Sequence, residues 1–232
     1  HRHRQVMNRV LEAYDTYEFH LVYHQLVQYA AADLSSFYFD VLKDRLYCDP
    51  AAGTRRRSAQ TVLLRIARDL CRLLAPVLPF TTDEAWPLIP GEAEPSVHLA
   101  SFPDREAANE ALLARWGGLL EVRAQATKAL EEARDAKKVA ASLEAVVTVK
   151  GPAPVIGPLR DHEAASTVFP GNLANLFIVS RVHLEEAETP LAVAVERAPG
   201  AKCGRCWTFS EKVGTLDEPE VCERCAEVLA RL

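Results

Sequence analysis

Two pairs of cysteines near the end of the chain constrain its structure more than any other feature. Each pair has the spacing Cys-x2-Cys and fifteen residues separate the pairs, which consist of Cys203, Cys206, Cys222 and Cys225. Cysteines three positions apart can bind one metal ion, and two such pairs supply four thiolates for tetrahedral Zn²⁺. A segment of about thirty residues is too short to fold on a hydrophobic core alone. The spacing therefore predicts one structural zinc ion with these four cysteines as ligands.

Other fates of these cysteines stay open at this point. They could form two disulfides or a redox Cys-x-x-Cys pair, remain reduced without a metal, or hold an iron–sulfur cluster, although paired knuckles suit zinc better. A catalytic zinc is disfavoured because four thiolates leave no open position for water. Cys48 and Cys71 have no partner pair nearby in the sequence, and we expect ordinary buried or half-buried thiols there.

The composition is that of a soluble globular protein. Of the 232 residues, 49% are apolar and 25% are charged, which excludes an intrinsically disordered chain. No apolar run reaches the length of about 18 residues that a membrane-spanning helix needs. The basic N-terminus is followed by no apolar run, so no secretory signal is predicted. Because the chain does not begin with Met, we expect it to be cut from a longer protein.

The charge is distributed unevenly along the chain. The net charge is −5, but residues 1–80 hold 11 Lys and Arg against 8 Asp and Glu, which gives a net +3. Residues 81–198 hold 11 against 18, a net −7, and residues 199–232 hold 5 against 6. Nucleic-acid binding follows local patches rather than the average. The first third can therefore contact phosphates, although the charge alone favours a solvated helical surface.

The apolar pattern predicts a mainly α protein. Spacings of three and four over residues 3–47, 54–75 and 104–138 predict helices. Thr16 is predicted to cap a second helix, and Thr81 with Glu84 to form a capping box. Runs rich in β-branched residues at 145–149, 176–182 and 191–195 predict strands.

These elements predict a fold in three parts. An antiparallel helical bundle occupies residues 1–92. A long helix and a small α+β junction domain occupy residues 93–200, and a C-terminal zinc finger with four cysteine ligands occupies residues 201–232.

Several stretches of the chain resemble one enzyme family. Cys203-Gly204-Arg205-Cys206-Trp207 with the second cysteine pair is similar to the C-terminal zinc finger of bacterial isoleucyl-tRNA synthetases. Residues 36–47 resemble their S-F-Y-x-D-x-x-K-D-x-x-Y stretch, residues 56–61 their R-R-S-x-Q-T, residues 74–86 their A-P-I-L-x-x-x-A-x-E-x-W, and residues 135–145 their D-K-x-I/V-G-x-S-L-E-A. The resemblance covers essentially the whole chain in family order. The chain is thus identified as similar to the anticodon-binding helical domain and zinc finger of these synthetases.

The resemblance implies a function in tRNA recognition. The whole enzyme esterifies isoleucine to tRNA(Ile) using ATP, but the H-I-G-H and K-M-S-K-S signatures of the catalytic domain do not occur in this sequence. We therefore expect this chain to bind the anticodon stem-loop and to be inactive alone, with ATP bound only by the catalytic domain. The resemblance also implies a cytoplasmic monomer that contacts no membrane and works with the catalytic domain of the same enzyme.

The candidate RNA contacts are basic and aromatic side chains. Trp207 can stack on an unpaired base, and Arg205 can hydrogen-bond a base edge or phosphate. Helical basic residues that can face the tRNA backbone are Lys43, Arg45, Arg56 and Arg57. The competing interpretations are that Trp207 covers the zinc sulfurs, that Arg205 forms a surface salt bridge, and that the helical cations are merely solvated.

Three rival interpretations remain. A similar finger ends the formamidopyrimidine-DNA glycosylases, but those enzymes begin with a catalytic Pro-Glu pair and this chain begins with His1-Arg2. A non-catalytic zinc-containing scaffold that docks a protein partner would suit the acidic middle segment. Valyl and methionyl synthetases share the bundle type and form the within-class alternative.

Overall fold

A computed structural model describes residues 1–91, 94–166 and 171–231. The chain divides into two compact units. The first unit comprises His1–Leu46 and Ala51–Leu113, and the second comprises Tyr47–Pro50 and Ala114–Leu232. The three-part division stays a prediction, and its boundary between residues 92 and 93 lies outside the described residues. None of the helices in the described part of the chain is both long and apolar enough to cross a membrane.

The first unit is the predicted helical bundle. Its elements are α1 (Arg2–Asp15), α2 (Phe19–Gln28), a π-helix (Tyr29–Tyr38), α3 (Phe39–Cys48), α4 (Thr54–Leu74) and α5 (Pro79–Ala85), with 3₁₀ turns at Trp86–Leu88 and Val97–Leu99. The last two residues of α3, Tyr47 and Cys48, belong to the second unit. Apolar residues of α1, α2, the π-helix and α4 form one buried core, which includes Val10, Val22, Leu34 and Leu73. Burial of this shared stripe, rather than helix propensity alone, stabilises the elements.

A buried polar network lies beside this core. His3 Nε2 is 3.0 Å from Asp69 Oδ2, and His3 Nδ1 is 3.1 Å from the Tyr29 hydroxyl. Arg65 Nε approaches the same Asp69 oxygen at 3.6 Å. Because Asp69 is only 5% exposed, these partners are needed to hold its carboxylate in the interior.

Two predicted helix starts are wrong. Thr16 ends α1 instead of capping α2, whose N-cap is Glu18. Helix α5 begins at Pro79, so Thr81 lies inside it and the predicted capping box does not form. The helix can start at Pro79 because proline has a φ that already suits the first helical position. Inside the helix, the Thr82 hydroxyl donates to the Leu78 carbonyl at 2.9 Å.

Helix α6 (Glu110–Asp135) links the bundle to the second unit. The helix begins later than the predicted residue 104. At its observed start, the Asn109 side chain accepts a hydrogen bond from Leu112 N at 2.9 Å. The helix continues through Gly117 and Gly118 and ends before Lys137, which has a φ of 57°.

The second unit contains a three-stranded sheet in the order β2-β1-β3. Strand β1 (Ala145–Gly151) pairs in parallel with β2 (Arg181–Glu186) and antiparallel with β3 (Ala192–Arg197). Helices α7 (Ala153–Ala164) and α8 (Asn172–Phe177) connect the parallel strands. The register pairs Val147 with Val182 and Val195.

The predicted strand at 176–182 is only partly correct. Leu176 and Phe177 close helix α8, and Ile178 adopts a left-handed conformation with a φ of 59°. Strand β2 therefore starts at Arg181. A short apolar run is compatible with a buried helix as well as a strand, and periodicity alone does not distinguish them.

The C-terminal segment forms a small hairpin followed by a helix. Strands β4 (Ala201–Lys202) and β5 (Phe209–Ser210) pair antiparallel, and α9 (Glu223–Leu229) is the helix that follows them. Phe209 N donates to Ser180 Oγ at 2.7 Å, which joins the hairpin to the start of β2. The mainly α fold with a junction domain and a terminal cysteine cluster, as predicted, is confirmed.

Candidate metal centre and nucleic-acid interface

The structure brings the four predicted cysteines together in the second unit. Their sulfur atoms all lie within 4.8 Å of one another, and all four residues are buried. Cys203 and Cys206 lie in the turn between β4 and β5, while Cys222 is the N-cap of α9 and Cys225 lies in its first turn. Gly204 N donates to the Glu220 carbonyl at 2.8 Å and joins the two halves.

The surroundings of the sulfurs suit thiolates. Cys222 N donates to Cys203 Sγ at 3.3 Å, the Thr208 hydroxyl lies 2.9 Å from Cys206 Sγ, and Arg205 donates to Cys225 Sγ at 3.7 Å. Such outer contacts orient the ligands of a metal ion and tune their basicity. The group therefore fits one structural zinc, closed by four sulfurs with no position left for a reacting water.

The sulfurs are close enough to share protons. Hydrogen bonds from Cys222 and, to a smaller extent, from Cys225 lower the pKa of the Cys206 thiol well below its usual range. The hydrogen bond to Cys206 in turn raises the pKa of Cys222 and raises that of Cys225 to about 12. A divalent cation relieves this competition because it takes the place of the protons.

Trp207 is presented to solvent by the first cysteine turn. The residue is 58% exposed, which argues against the interpretation that its ring covers the sulfurs. Its backbone has a φ of 67°, and its N–H donates to the Cys203 carbonyl at 3.0 Å. Lys202 Nζ lies 5.0 Å from the centroid of the indole. The turn that holds two cysteines thus also fixes an exposed aromatic ring beside a cation.

Arg205 points toward the protein rather than into solvent. Its guanidinium donates from Nη1 to the Cys48 carbonyl at 2.6 Å and from Nη2 to the Tyr47 carbonyl at 3.3 Å. These partners are carbonyls, not the carboxylate that a surface salt bridge would supply. The RNA contact of Arg205 stays a prediction.

The other predicted RNA contacts lie in the first unit. Lys43 in α3 is exposed and pairs with Asp40 at 2.5 Å. Arg57 in α4 is exposed and donates to Gln60 Oε1 at 3.2 Å, whereas Arg45 and Arg56 are half-buried. Contact of these four side chains with tRNA stays a prediction.

Comparison with known proteins decides the family. Residues 1–149 match the family described as the anticodon-binding domain of tRNA ligase. The chain belongs to this family. Residues 200–228 also match the family described as a zinc finger found in FPG and IleRS. Because the anticodon-binding match covers most of the chain outside the finger, the glycosylase alternative loses its support.

Curated relatives of the chain include isoleucine–tRNA ligases. The chain is 43% identical to that of Desulforudis audaxviator over 98% of its own length and 26% of the relative. It is 42% identical to that of Syntrophotalea carbinolica over 95% of its length and 24% of the relative. The ligase of Moorella thermoacetica is 43% identical over 100% of this chain and 26% of the relative. The chain therefore spans about a quarter of the length of these relatives, and the predicted family resemblance is confirmed.

Sequence reasoning missed Lys202 as a neighbour of Trp207, and the segment around Cys48 as a neighbour of the cysteine cluster. The first had a signal, since Lys202 directly precedes the first cysteine. The second had none in the spacing, because 157 positions separate Cys48 from Arg205.

Proposed function

We propose that this chain is the tRNA-recognition part of an isoleucine–tRNA ligase and binds the anticodon stem-loop of tRNA(Ile). In this proposal, the whole ligase uses ATP to esterify isoleucine to the tRNA, and this chain supplies binding and orientation. The chain acts in the cytoplasm as a monomer, together with the catalytic domain of the same enzyme. Because the chain lacks the H-I-G-H and K-M-S-K-S signatures, we expect no aminoacylation by the chain alone.

The main support is the ring of Trp207 beside Lys202. A cation lies near the indole and the residue is largely exposed, so the ring can stack on an unpaired base, which is a common mode of RNA recognition. The ammonium group can also pair with a phosphate of the same nucleotide. This pair is suited to a single-stranded loop rather than to a duplex, in which the bases are already stacked.

The zinc ion has a structural role in this proposal. We assign Cys203, Cys206, Cys222 and Cys225 as its four ligands. Binding the metal fixes the turn that presents Trp207, and no step of the ligase reaction occurs there. The finger at residues 201–232 and the bundle at residues 1–92 then share RNA binding, with residues 93–200 as the junction.

The start of α4 supports a second contact area. Arg55, Arg56 and Arg57 occupy its first turn, which contains no acidic residue. The helix macrodipole disfavours cations at this end. Asp44 lies 3.9 Å from Arg55 and offsets part of that cost, while Arg57 is exposed to solvent. We propose that Arg56 and Arg57, with Lys43 and Arg45 of α3, contact the tRNA backbone.

Competition between tRNAs tests the proposal. We would measure binding of the zinc-loaded chain to tRNA(Ile), to tRNA(Ile) with an exchanged anticodon, and to tRNAs with unrelated anticodons. We expect the exchange to weaken binding by at least about tenfold, which corresponds to about 1.4 kcal/mol. The affinity should also fall with added salt, since each neutralised phosphate releases counterions. Equal affinity for all these tRNAs would refute anticodon recognition.

A further inference from the structure

Both cysteine pairs carry an arginine in the same place. The first reads Cys203-Gly204-Arg205-Cys206 and the second reads Cys222-Glu223-Arg224-Cys225, so each is Cys-x-Arg-Cys. Both arginines bind the same four-residue segment, Tyr47–Pro50, which belongs to the second unit. Two equivalent positions of the finger thus converge on one short piece of chain.

Arg205 closes the end of helix α3. Its guanidinium donates to the carbonyls of Tyr47 and Cys48, the last two residues of the helix. Carbonyls in the last turn have no partner within the helix, and a cation there is also favoured by the macrodipole. The same Nη1 atom donates to Cys225 Sγ at 3.7 Å. One side chain therefore joins a sulfur of the cluster to a helix end.

Arg224 fixes the next residue of the segment. Its Nη1 lies 3.8 Å from Asp49 Oδ1, and the two side chains are only 7% and 6% exposed. A charge so deeply buried needs its partner. Between these two contacts, Cys48 is 6% exposed and belongs to the same apolar cluster as the four cysteines. The segment is thus packed against the finger as well as bonded to it.

We propose that Arg205 and Arg224 make Tyr47–Pro50 an integral part of the zinc module, so that zinc binding and the fixing of this segment are one coupled event. The metal sets the positions of both turns, and the turns set the positions of both arginines. By linkage, the segment must strengthen zinc binding by the same factor with which zinc strengthens the attachment of the segment. Arg205 then acts as a positioning residue through Tyr47 and Cys48, in addition to the RNA contact predicted for it. The proposal depends on the zinc site and does not depend on tRNA binding.

Hydrogen exchange of the full chain tests the coupling without any RNA. Removal of zinc with a chelator should speed amide exchange in the segment 47–50, at the amides of residues 47–49 that precede Pro50, together with residues 203–225. The variant R205K keeps the charge but cannot bridge two carbonyls and a sulfur, so we expect faster exchange at 47–50 even with zinc bound. The matched control is R231K, at an exposed arginine of the same unit, which should exchange like the parent. Unchanged exchange at 47–50 after zinc removal would overturn the proposal.

Metal binding supplies the second readout. Competition with a chromophoric chelator should show zinc affinity reduced by about 10- to 100-fold in R205K, as is usual when an outer partner of a metal site is lost. The thiolate-to-metal band of the cobalt-substituted protein should shift in R205K, because Arg205 donates to Cys225 Sγ. The band should stay in place in R231K, at an exposed arginine. If R205K binds no metal at all, D49N provides the test, since Asp49 pairs with Arg224. Parent-like zinc affinity and exchange in D49N would overturn the coupling.

Discussion

Replacement of Trp207 by alanine should separate RNA binding from stability. The residue is 58% exposed, so removal of its indole takes little apolar surface out of the interior. The loss is limited to an exposed cation–π contact with Lys202, and such contacts contribute about 0.5–1 kcal/mol. The cost of a left-handed backbone comes mainly from Cβ, which alanine shares with tryptophan, so the strain at a φ of 67° should change little. We expect the free energy of unfolding to fall by about 1 kcal/mol or less.

The effect on binding should be larger. Stacking of one base on an aromatic side chain contributes about 1–3 kcal/mol, which corresponds to an increase of about 5- to 150-fold in the dissociation constant. Fluorescence anisotropy with a labelled anticodon stem-loop at fixed salt measures this change, and Trp207→Phe should retain most of the affinity. Zinc content is determined in parallel and should stay at the parent level.

Trp86 provides the opposite control. It is fully buried, and its Nε1 donates to the Glu94 carbonyl at 2.9 Å. Trp86→Ala should therefore cost about 3–5 kcal/mol of stability. Binding that changes less than twofold in Trp207→Ala would refute the stacking argument. A stability loss near that of Trp86→Ala would show that the ring of Trp207 is packed rather than presented.

Three further predictions concern charge and pH. Asp49→Asn removes the buried carboxylate that faces Arg224, so it should cost about 3–5 kcal/mol. Asp40→Asn in an exposed pair should cost about 1 kcal/mol or less. Urea midpoints of the zinc-loaded protein measure both, and equal losses would contradict the burial argument. Burial, followed by the charge of Asp33, raises the pKa of Tyr29, so folding favours its neutral form. The stability from this group should be complete below about pH 10 and be lost as the pH rises through the higher folded pKa. Tyr29→Phe should flatten the urea midpoint against pH in that window, and an identical slope in both proteins would exclude Tyr29 as the cause. Arg57→Gln should reduce the slope of log affinity against log salt by about 0.7–0.9 if it contacts one phosphate, and an unchanged slope would remove it from the interface.

The parts of the structure that depend on local sequence were predicted well. The spacing of Cys203, Cys206, Cys222 and Cys225 reflects what one metal ion requires, and the sulfurs meet in the structure. The periodic helices of the bundle were also predictable, because a repeated apolar stripe has few ways to be buried. Element boundaries were less reliable. The run at 176–182 contains a helix end and a left-handed residue at Ile178, which a window of apolar residues does not reveal.

The role of a side chain depended on tertiary contacts that the sequence does not encode locally. Arg205 has the chemistry of an RNA ligand, but its donors meet the end of a helix 157 positions away. Trp207 has the chemistry of either a cover or a stacking platform, and only its exposure distinguishes the two. Residue type thus indicated which side chains matter at the finger, and packing decided what each of them contacts.

The most direct test of the account measures zinc and tRNA binding on the same sample. Metal analysis of the purified chain is paired with binding to tRNA(Ile) before chelation, after chelation and after zinc is restored. The account predicts one zinc per chain, loss of most of the affinity on chelation, and recovery with added zinc. One zinc per chain with unchanged binding after its removal would contradict a role of the finger in recognition, and a chain that binds no zinc would contradict the metal site itself.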